Sequence, residues 1–159
     1  MIPANLDRDQ MAVELAKRSY KNLQEYQGDY EVTHLLNSLV SLLIIPKETF
    51  YTSKSKGIED NAISERLLIQ LRQSIEDNAK NKDEILPIKL NEIIRHMRNA
   101  ICHGNIMFRR EKPPRDSDPV IVRAIEFGDA EGAFKIKISK ENIELLVKEF
   151  SAWILEKYS

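Results

Sequence analysis

Arg98, Asn99 and His103 are the residues whose types and spacing point to chemistry in this sequence. The arginine stands five positions before the histidine in Arg98-Asn99-Ala100-Ile101-Cys102-His103, and an amide side chain follows the arginine directly. A guanidinium holds a phosphate through a fork of two parallel donors. An imidazole moves a proton near neutral pH. Together they are the minimal set for cleaving a phosphodiester without a metal.

The element that must present them reads as a helix from about Ile88 to Asn105, preceded by Pro87. With Ile93 at zero and a step of about 100° per residue, Ile93, Ile94, Met97, Ala100, Ile101 and Gly104 fall on one arc, the expected buried face. Arg98, Cys102, Arg95, Asn99, His103 and His96 fall on the other arc, with Arg98 and His103 at its flanks and Asn99 between them. No Asp or Glu occurs from Ile93 through Arg110, which favours an anionic ligand. From Lys89 to Arg115 seven Lys/Arg stand against two Asp/Glu, a local charge of +5 in a chain whose net charge is −1. A basic zone on an acidic body suits a local phosphate site. It also suits a solvated helix and loop. His103 has a structural role open to it as well, because a cationic imidazole near a helix C-terminus interacts well with the last carbonyls. Arg98 could pair with an acid from another helix, and Asn99 could be a buried hydrogen-bonder.

Two other chemistries fit poorly. Cys102 and His103 are adjacent on a helix and point about 100° apart, which does not make a nucleophilic pair. A zinc site from His96, Cys102 and His103 lacks the usual ligand spacing and a fourth ligand. Neither a metal nor a cofactor is expected.

The remaining elements follow from apolar periodicity. Leu6 to Gln27 reads as a helix stopped by Gly28. Asp29 can cap a second helix from near Tyr30, in which Val32, Leu35, Leu36, Leu39, Leu42 and Leu43 cover much of the circumference. A helix apolar on most sides is buried on most sides, either at the centre of the domain or against another subunit. Pro46 should kink or end it. Thr52 to Gly57 reads as a polar loop, Asn61 to Asn78 as a third helix, and Asn78 to Asp83 as a break. Arg109 to Pro119 holds three prolines and reads as a loop. Val120 to Phe127 is rich in branched residues, and Phe134, Ile136 and Ile138 alternate with Lys135 and Lys137. The two are expected to form a hairpin over a Gly128–Gly132 loop. Ser139 should cap a last helix with a stripe of Ile143, Leu146, Val147, Phe150 and Ile154. The sum is an all-α, mainly helical fold: one domain over residues 1–159, a compact bundle of about five helices with one small β-hairpin before the last.

The chain has 159 residues, 42% hydrophobic and 31% charged, which suits a globular domain with one core. Cys102 is the only cysteine, so no internal disulfide can form. The segment Met1–Asn5 has no basic region followed by an apolar run, so no signal peptide is expected. The most apolar stretch, Leu35 to Ile45, is too short to span a bilayer. The expected location is the cytoplasm, without membrane contact.

The motif resembles the signature of the HEPN superfamily: an arginine, a polar residue, three further positions and a histidine. Arg98, Asn99 and His103 match it in order and spacing. The long apolar second helix, the motif late in a helix of the second half, and the hairpin before the helix from Ser139 are also similar to small stand-alone prokaryotic members. The resemblance implies metal-independent endoribonuclease activity in toxin–antitoxin, abortive-infection or CRISPR-linked defence. It further implies a homodimer that brings two motifs into one cleft. A subgroup regulated by nucleotidyltransferase antitoxins carries a tyrosine two positions after the motif histidine. Asn105 stands there in this chain, so silencing by adenylylation of such a tyrosine is not expected.

On this reading RNA is the substrate. Arg98 holds the phosphate, His103 acts as general base or acid, and Asn99 orients the histidine or the scissile group. Arg95, His96, Arg109, Arg110 and Arg115 bind the flanking RNA without reading sequence. The partners expected are a second copy of the chain and an antitoxin or other regulatory protein. Two other readings keep the same fold: a catalytically silent dimeric module that binds nucleic acid or a protein, and a small helical protein whose basic helix sequesters an acidic antitoxin.

Overall fold

The computed structural model describes residues 8–25, 31–43, 58–75, 88–111, 121–128 and 134–158. Within them lie five α-helices: α1 (Arg8–Glu25), α2 (Glu31–Leu43), α3 (Glu65–Gln73), α4 (Leu90–Cys102) and α5 (Lys140–Tyr158). A 3₁₀ turn, Asp60–Ala62, precedes α3. Three strands, β1 (Ile106–Glu111), β2 (Ile121–Gly128) and β3 (Lys135–Ser139), form an antiparallel sheet in the order β1-β2-β3. The mainly helical class is as the sequence implies. The stop at Gly28, the cap at Asp29, the Pro46 break, the Thr52–Gly57 loop, the Asn78–Asp83 break, Pro87 and residues 129–132 of the hairpin loop lie outside the described residues, as does the chain start.

α2 occupies the centre of the bundle, touching α1, α4 and α5. Leu35, Leu39, Leu42 and Leu43 are fully enclosed within the single chain, and Leu36 is partly buried against the same core. α4 buries Leu90, Ile93, Ile94, Met97 and Ala100, and α5 buries Ile143, Leu146, Val147, Phe150 and Ile154. The apolar face of the sheet, Ile125, Phe127, Ile136 and Ile138, closes the same core. No described helix is long and apolar enough to cross a membrane.

The expected hairpin is present, but β1 extends it to three strands. Residues Arg109, Arg110 and Glu111, read from sequence as the start of a loop, are strand, and α4 stops at Cys102 rather than Asn105. The strand gives little signal because Ile106-Met107-Phe108 does not alternate and three charges follow. Edge strands tolerate such charges, which discourage further pairing. β1 meets β2 through Ile106↔Phe127 and Phe108↔Ile125, with a bulge between Arg109 and Arg110. On the far side β3 pairs Ile138 with Ile125 and Ile136 with Phe127. The outer edge of β3 is covered by the end of α3, where the Lys137 N–H donates to the Ser74 carbonyl at 3.2 Å.

Side-chain caps fix the helix starts. Ser139 caps α5 by accepting from the Asn142 N–H at 3.2 Å, as expected. Ser64 caps α3 through the Leu67 N–H, which shortens that helix from the expected Asn61 start. α4 lacks a local side-chain cap at Lys89. Asp60, thirty positions upstream, takes that role: its carboxylate accepts from the Leu90 N–H at 2.8 Å and pairs with Arg72 at 3.5 Å. Arg72 in turn donates to the Ile88 carbonyl at 2.8 Å. An N-terminal cap is typically worth about 1 kcal/mol. Asp60→Ala is therefore expected to lower stability by about 1 kcal/mol in urea unfolding. Glu59→Ala, which removes only a surface contact to Lys157 at 3.6 Å, should change it by less than about 0.5 kcal/mol.

Candidate functional site

α4 ends in a backbone reversal. The Gly104 N–H donates to the Ile101 carbonyl at 3.2 Å and the Asn105 N–H to the Ala100 carbonyl at 2.8 Å. This pair of bonds, with Gly104 at φ +70°, is a Schellman motif. Gly104 thus lies beyond the helix and is exposed, not on the buried arc where ideal helical geometry puts it. The other assignments to that arc hold, with Ile93, Ile94, Met97 and Ala100 fully buried and Ile101 half-buried. His103 is the C-cap residue, with φ −96° and ψ 4°, and its own N–H donates to the Asn99 carbonyl at 3.0 Å. Its side chain is exposed at the junction between helix and strand.

Arg98 and Asn99 are half-buried on the preceding turn. Nη1 of Arg98 lies out of solvent without a hydrogen bond, although the side chain as a whole has interactions with its surroundings. Five residues of helix separate Arg98 from His103 along the axis by about 7.5 Å. The two groups therefore flank one helix end, the guanidinium partly sheltered and the imidazole open to solvent.

The other two histidines are engaged elsewhere. His34 on α2 donates through Nε2 to the Asn22 carbonyl at 3.2 Å. His96 lies nearly parallel on Phe134, with ring centroids 4.0 Å apart and planes 9° apart. Phe134, read from the sequence as part of the strand alternation, lies one residue before β3, and nothing in a strand pattern signals a ring partner on another element.

The expected RNA-binding cations divide into two groups. Arg95 is exposed and pairs with Glu92 one turn earlier at 2.7 Å. Such a surface pair is weak and yields readily to a phosphate. Arg110 on β1 is exposed. Arg109 is committed differently: its Nε donates to Glu126 at 2.7 Å, and Lys135 reaches the same carboxylate at 2.8 Å. Glu126 is buried, so these two cations serve first to balance it. The acid lies on β2, outside the Ile93–Arg110 run, so the pairing is not visible from the local sequence. Arg115 lies outside the described residues.

Among the described residues no three His, Cys, Asp or Glu side chains converge as a metal site. Cys102 is exposed beside His103. A depression of about 470 Å³ on α1, lined by Glu14, Lys17, Arg18, Lys21, Asn22 and Glu25, shares no residue with α4 and has mixed charge.

The profile of the family described as HEPN pEK499 p136 matches residues 3–159, nearly the whole chain. No curated protein matches the chain, and no solved structure does.

Glu126 gives the site region a measurable pH signature. The hydrogen bond from Arg109 holds its carboxyl below the ordinary 4.5 against the opposing effect of burial, and Lys135 acts in the same direction. A lowered folded pKa stabilises the fold above the unfolded value and loses that contribution as pH falls through the folded value. Glu126→Gln is expected to cost about 1–3 kcal/mol at pH 7. The gap between variant and wild type should narrow below pH 4.5 in urea unfolding followed across pH. A gap constant down to pH 3 would remove the ion pairs as its source.

Proposed function

The chain belongs to the HEPN pEK499 p136 family, and on that footing we propose that it is an endoribonuclease that cleaves RNA without a metal. The observation that carries the reading is the Arg98-Asn99-x-x-x-His103 motif at the reversal ending α4, with an exposed imidazole beyond a half-buried arginine in an acid-free stretch.

In the reaction the ribose 2′-oxygen attacks the adjacent phosphorus and the bond from phosphorus to the 5′-oxygen breaks. The products are a 2′,3′-cyclic phosphate and a 5′-hydroxyl. One proton leaves the 2′-oxygen and one is delivered to the 5′-oxygen. His103 performs one of these transfers, a role typically contributing about 10²–10⁴-fold. Arg98 grips the phosphoryl oxygens and stabilises the charge that grows on them. Asn99, one turn before His103, orients the imidazole or the scissile group. Arg95 and Arg110 hold the flanking backbone, and Arg109 contributes where Glu126 leaves it donors. A homodimer supplies a second His103 for the other proton transfer. The enzyme acts in the cytoplasm as a toxin or defence nuclease, restrained by an antitoxin or another regulatory protein.

The test uses purified protein, a labelled RNA and its all-DNA counterpart, with EDTA present. Wild type is expected to leave cyclic phosphate ends on RNA and to leave DNA intact, because the reaction needs the 2′-hydroxyl. His103→Ala should lower the rate by at least about 100-fold, and Arg98→Ala by a similar factor. Cleavage that survives either substitution, or that EDTA abolishes, would overturn the assignment. RNA that wild type binds but leaves whole would mark a silent docking module instead. For the dimer, light scattering at micromolar concentration should report twice the 18.4 kDa chain mass. A monomer that still cleaves would remove the second motif from the mechanism.

A further inference from the structure

Four large apolar side chains among the described residues are substantially exposed: Ile69, Met107, Phe108 and Leu145. Ile69 and Leu145 stand singly on α3 and α5, as scattered surface residues commonly do. Met107 and Phe108 are adjacent on β1, 53% and 42% exposed, and Arg109 and Arg110 follow them directly. β1 is an edge of the sheet within the described residues, while the opposite edge is covered by the end of α3.

We propose that β1 is a binding platform for unpaired RNA, on which Phe108 stacks a base and Arg110 holds the neighbouring phosphate. The inference rests on the ribonuclease reading above and names the strandedness of its substrate. Strand alternation places Ile106 and Phe108 on one face, and Arg110 follows across the register shift after Arg109. Phe108 pairs across the strands with the buried Ile125, yet its own side chain is substantially exposed. Two residues of strand separate Phe108 from Arg110 by about 7 Å, comparable to the repeat of an extended nucleotide. An exposed ring beside a cation is how sequence-tolerant proteins grip single strands, because every base has a face to stack.

The platform is also fixed relative to the motif. His103 and Phe108 are joined by the reversal at Gly104, and the Gly128 N–H donates to the Asn105 carbonyl at 3.1 Å, tying the junction to β2. A base held on Phe108 therefore sits a few residues of rigid backbone from the imidazole. Charge selects the occupant. The run from Ile93 to Arg110 has no acid, Glu111 stands only at the far end of β1, and the nearby buried acid, Glu126, is already balanced by Arg109 and Lys135. A polyanion with flat apolar groups meets both the cation and the ring. Duplex RNA keeps its bases stacked on one another and offers none to Phe108.

The experiment uses the full chain carrying His103→Ala, so that RNA stays whole, and a single-stranded RNA containing 2-aminopurine. Binding is expected to quench the probe by stacking, and the matching duplex should compete at least tenfold more weakly. Adding Phe108→Ala should weaken binding about tenfold and abolish the quenching, while Phe108→Trp restores both. Unchanged affinity and quenching in the alanine variant would overturn the platform. So would equal competition by duplex. A loss of self-association in that variant without loss of RNA affinity would assign the strand to a second copy, and would equally overturn it. Should Phe108→Ala fail to fold, photocrosslinking of 5-iodouridine RNA decides: label on the peptide holding residues 106–110 supports the platform, and label only elsewhere overturns it. Cleavage by wild type is scored separately. Quenching without cleavage leaves the platform standing and the ribonuclease reading fallen, and cleavage without quenching does the reverse.

Discussion

Two backbone hydrogen bonds across Gly104 set the direction in which the chain leaves α4, and the candidate site is arranged around that exit. Gly104 takes φ +70° with nothing within 4 Å of the position a Cβ would occupy, so the demand for glycine is torsional, not steric. An L-residue with a side chain meets its following carbonyl there, at about 1–2 kcal/mol. Had the helix run on to Asn105, the imidazole would lie along the polar arc. The reversal instead leaves His103 as the last residue before the turn and starts β1 three residues later. The packing beneath is what makes the exit rigid. Ile94, Met97 and Ala100 are fully buried, and Ile106 continues the same core across the turn opposite Phe127.

Electrostatics then sorts the cations by what opposes them. Each acid that pairs with the basic zone comes from outside the Ile93–Arg110 run. Glu92 lies one turn before Arg95 and is exposed, so the pair is screened by solvent and exchanges easily. Glu126 is buried on the neighbouring strand, where an unpaired carboxylate is costly, so Arg109 and Lys135 are held to it. Two adjacent arginines thus have two jobs. Arg109 stiffens the β1–β2 pair, and the exposed Arg110 is presented to solvent beside Phe108. Stiffness in β1 matters because the strand follows the motif directly.

Much of this was legible in the sequence where the period was clean. The stripe Ile93, Ile94, Met97, Ala100 specifies α4 and its buried face, and Phe134, Ile136, Ile138 against Lys135 and Lys137 specifies β3. Ser139 and the apolar stripe of α5 behave as their types dictate. The misreadings have local causes. Gly104 fits helical spacing by position, but its freedom at positive φ outweighs that fit. Ile106-Met107-Phe108 lacks alternation because Met107 and Phe108, on opposite faces of an edge strand, are both substantially exposed, so no pattern of one wet face exists. Asp60 caps α4 from thirty residues away, and no spacing rule reaches that far. The burial of Glu126 is equally invisible, since a strand glutamate between Ile125 and Phe127 reads as the wet side of the sheet.

The remaining link runs from histidine placement to assembly. Phosphodiester transesterification takes one proton from the 2′-oxygen and gives another to the 5′-oxygen, and a single imidazole does not hold both at once. The chain has three histidines. His34 is tied to the Asn22 carbonyl between α1 and α2, and His96 is stacked on Phe134 two turns before His103, about 10 Å along the axis. Neither stands with His103 at the end of α4. The apolar excess of α2 left open from sequence a place at the centre of the domain or against another subunit; Leu35, Leu39, Leu42 and Leu43 are enclosed within the chain and do not argue for the second. The case for a pair therefore moves from buried area to chemistry. In the proposed homodimer a two-fold axis joining two α4 ends would present two identical imidazoles to one phosphate, and the proposed platform of Phe108 and Arg110, just past each turn, would extend from such a cleft on both sides.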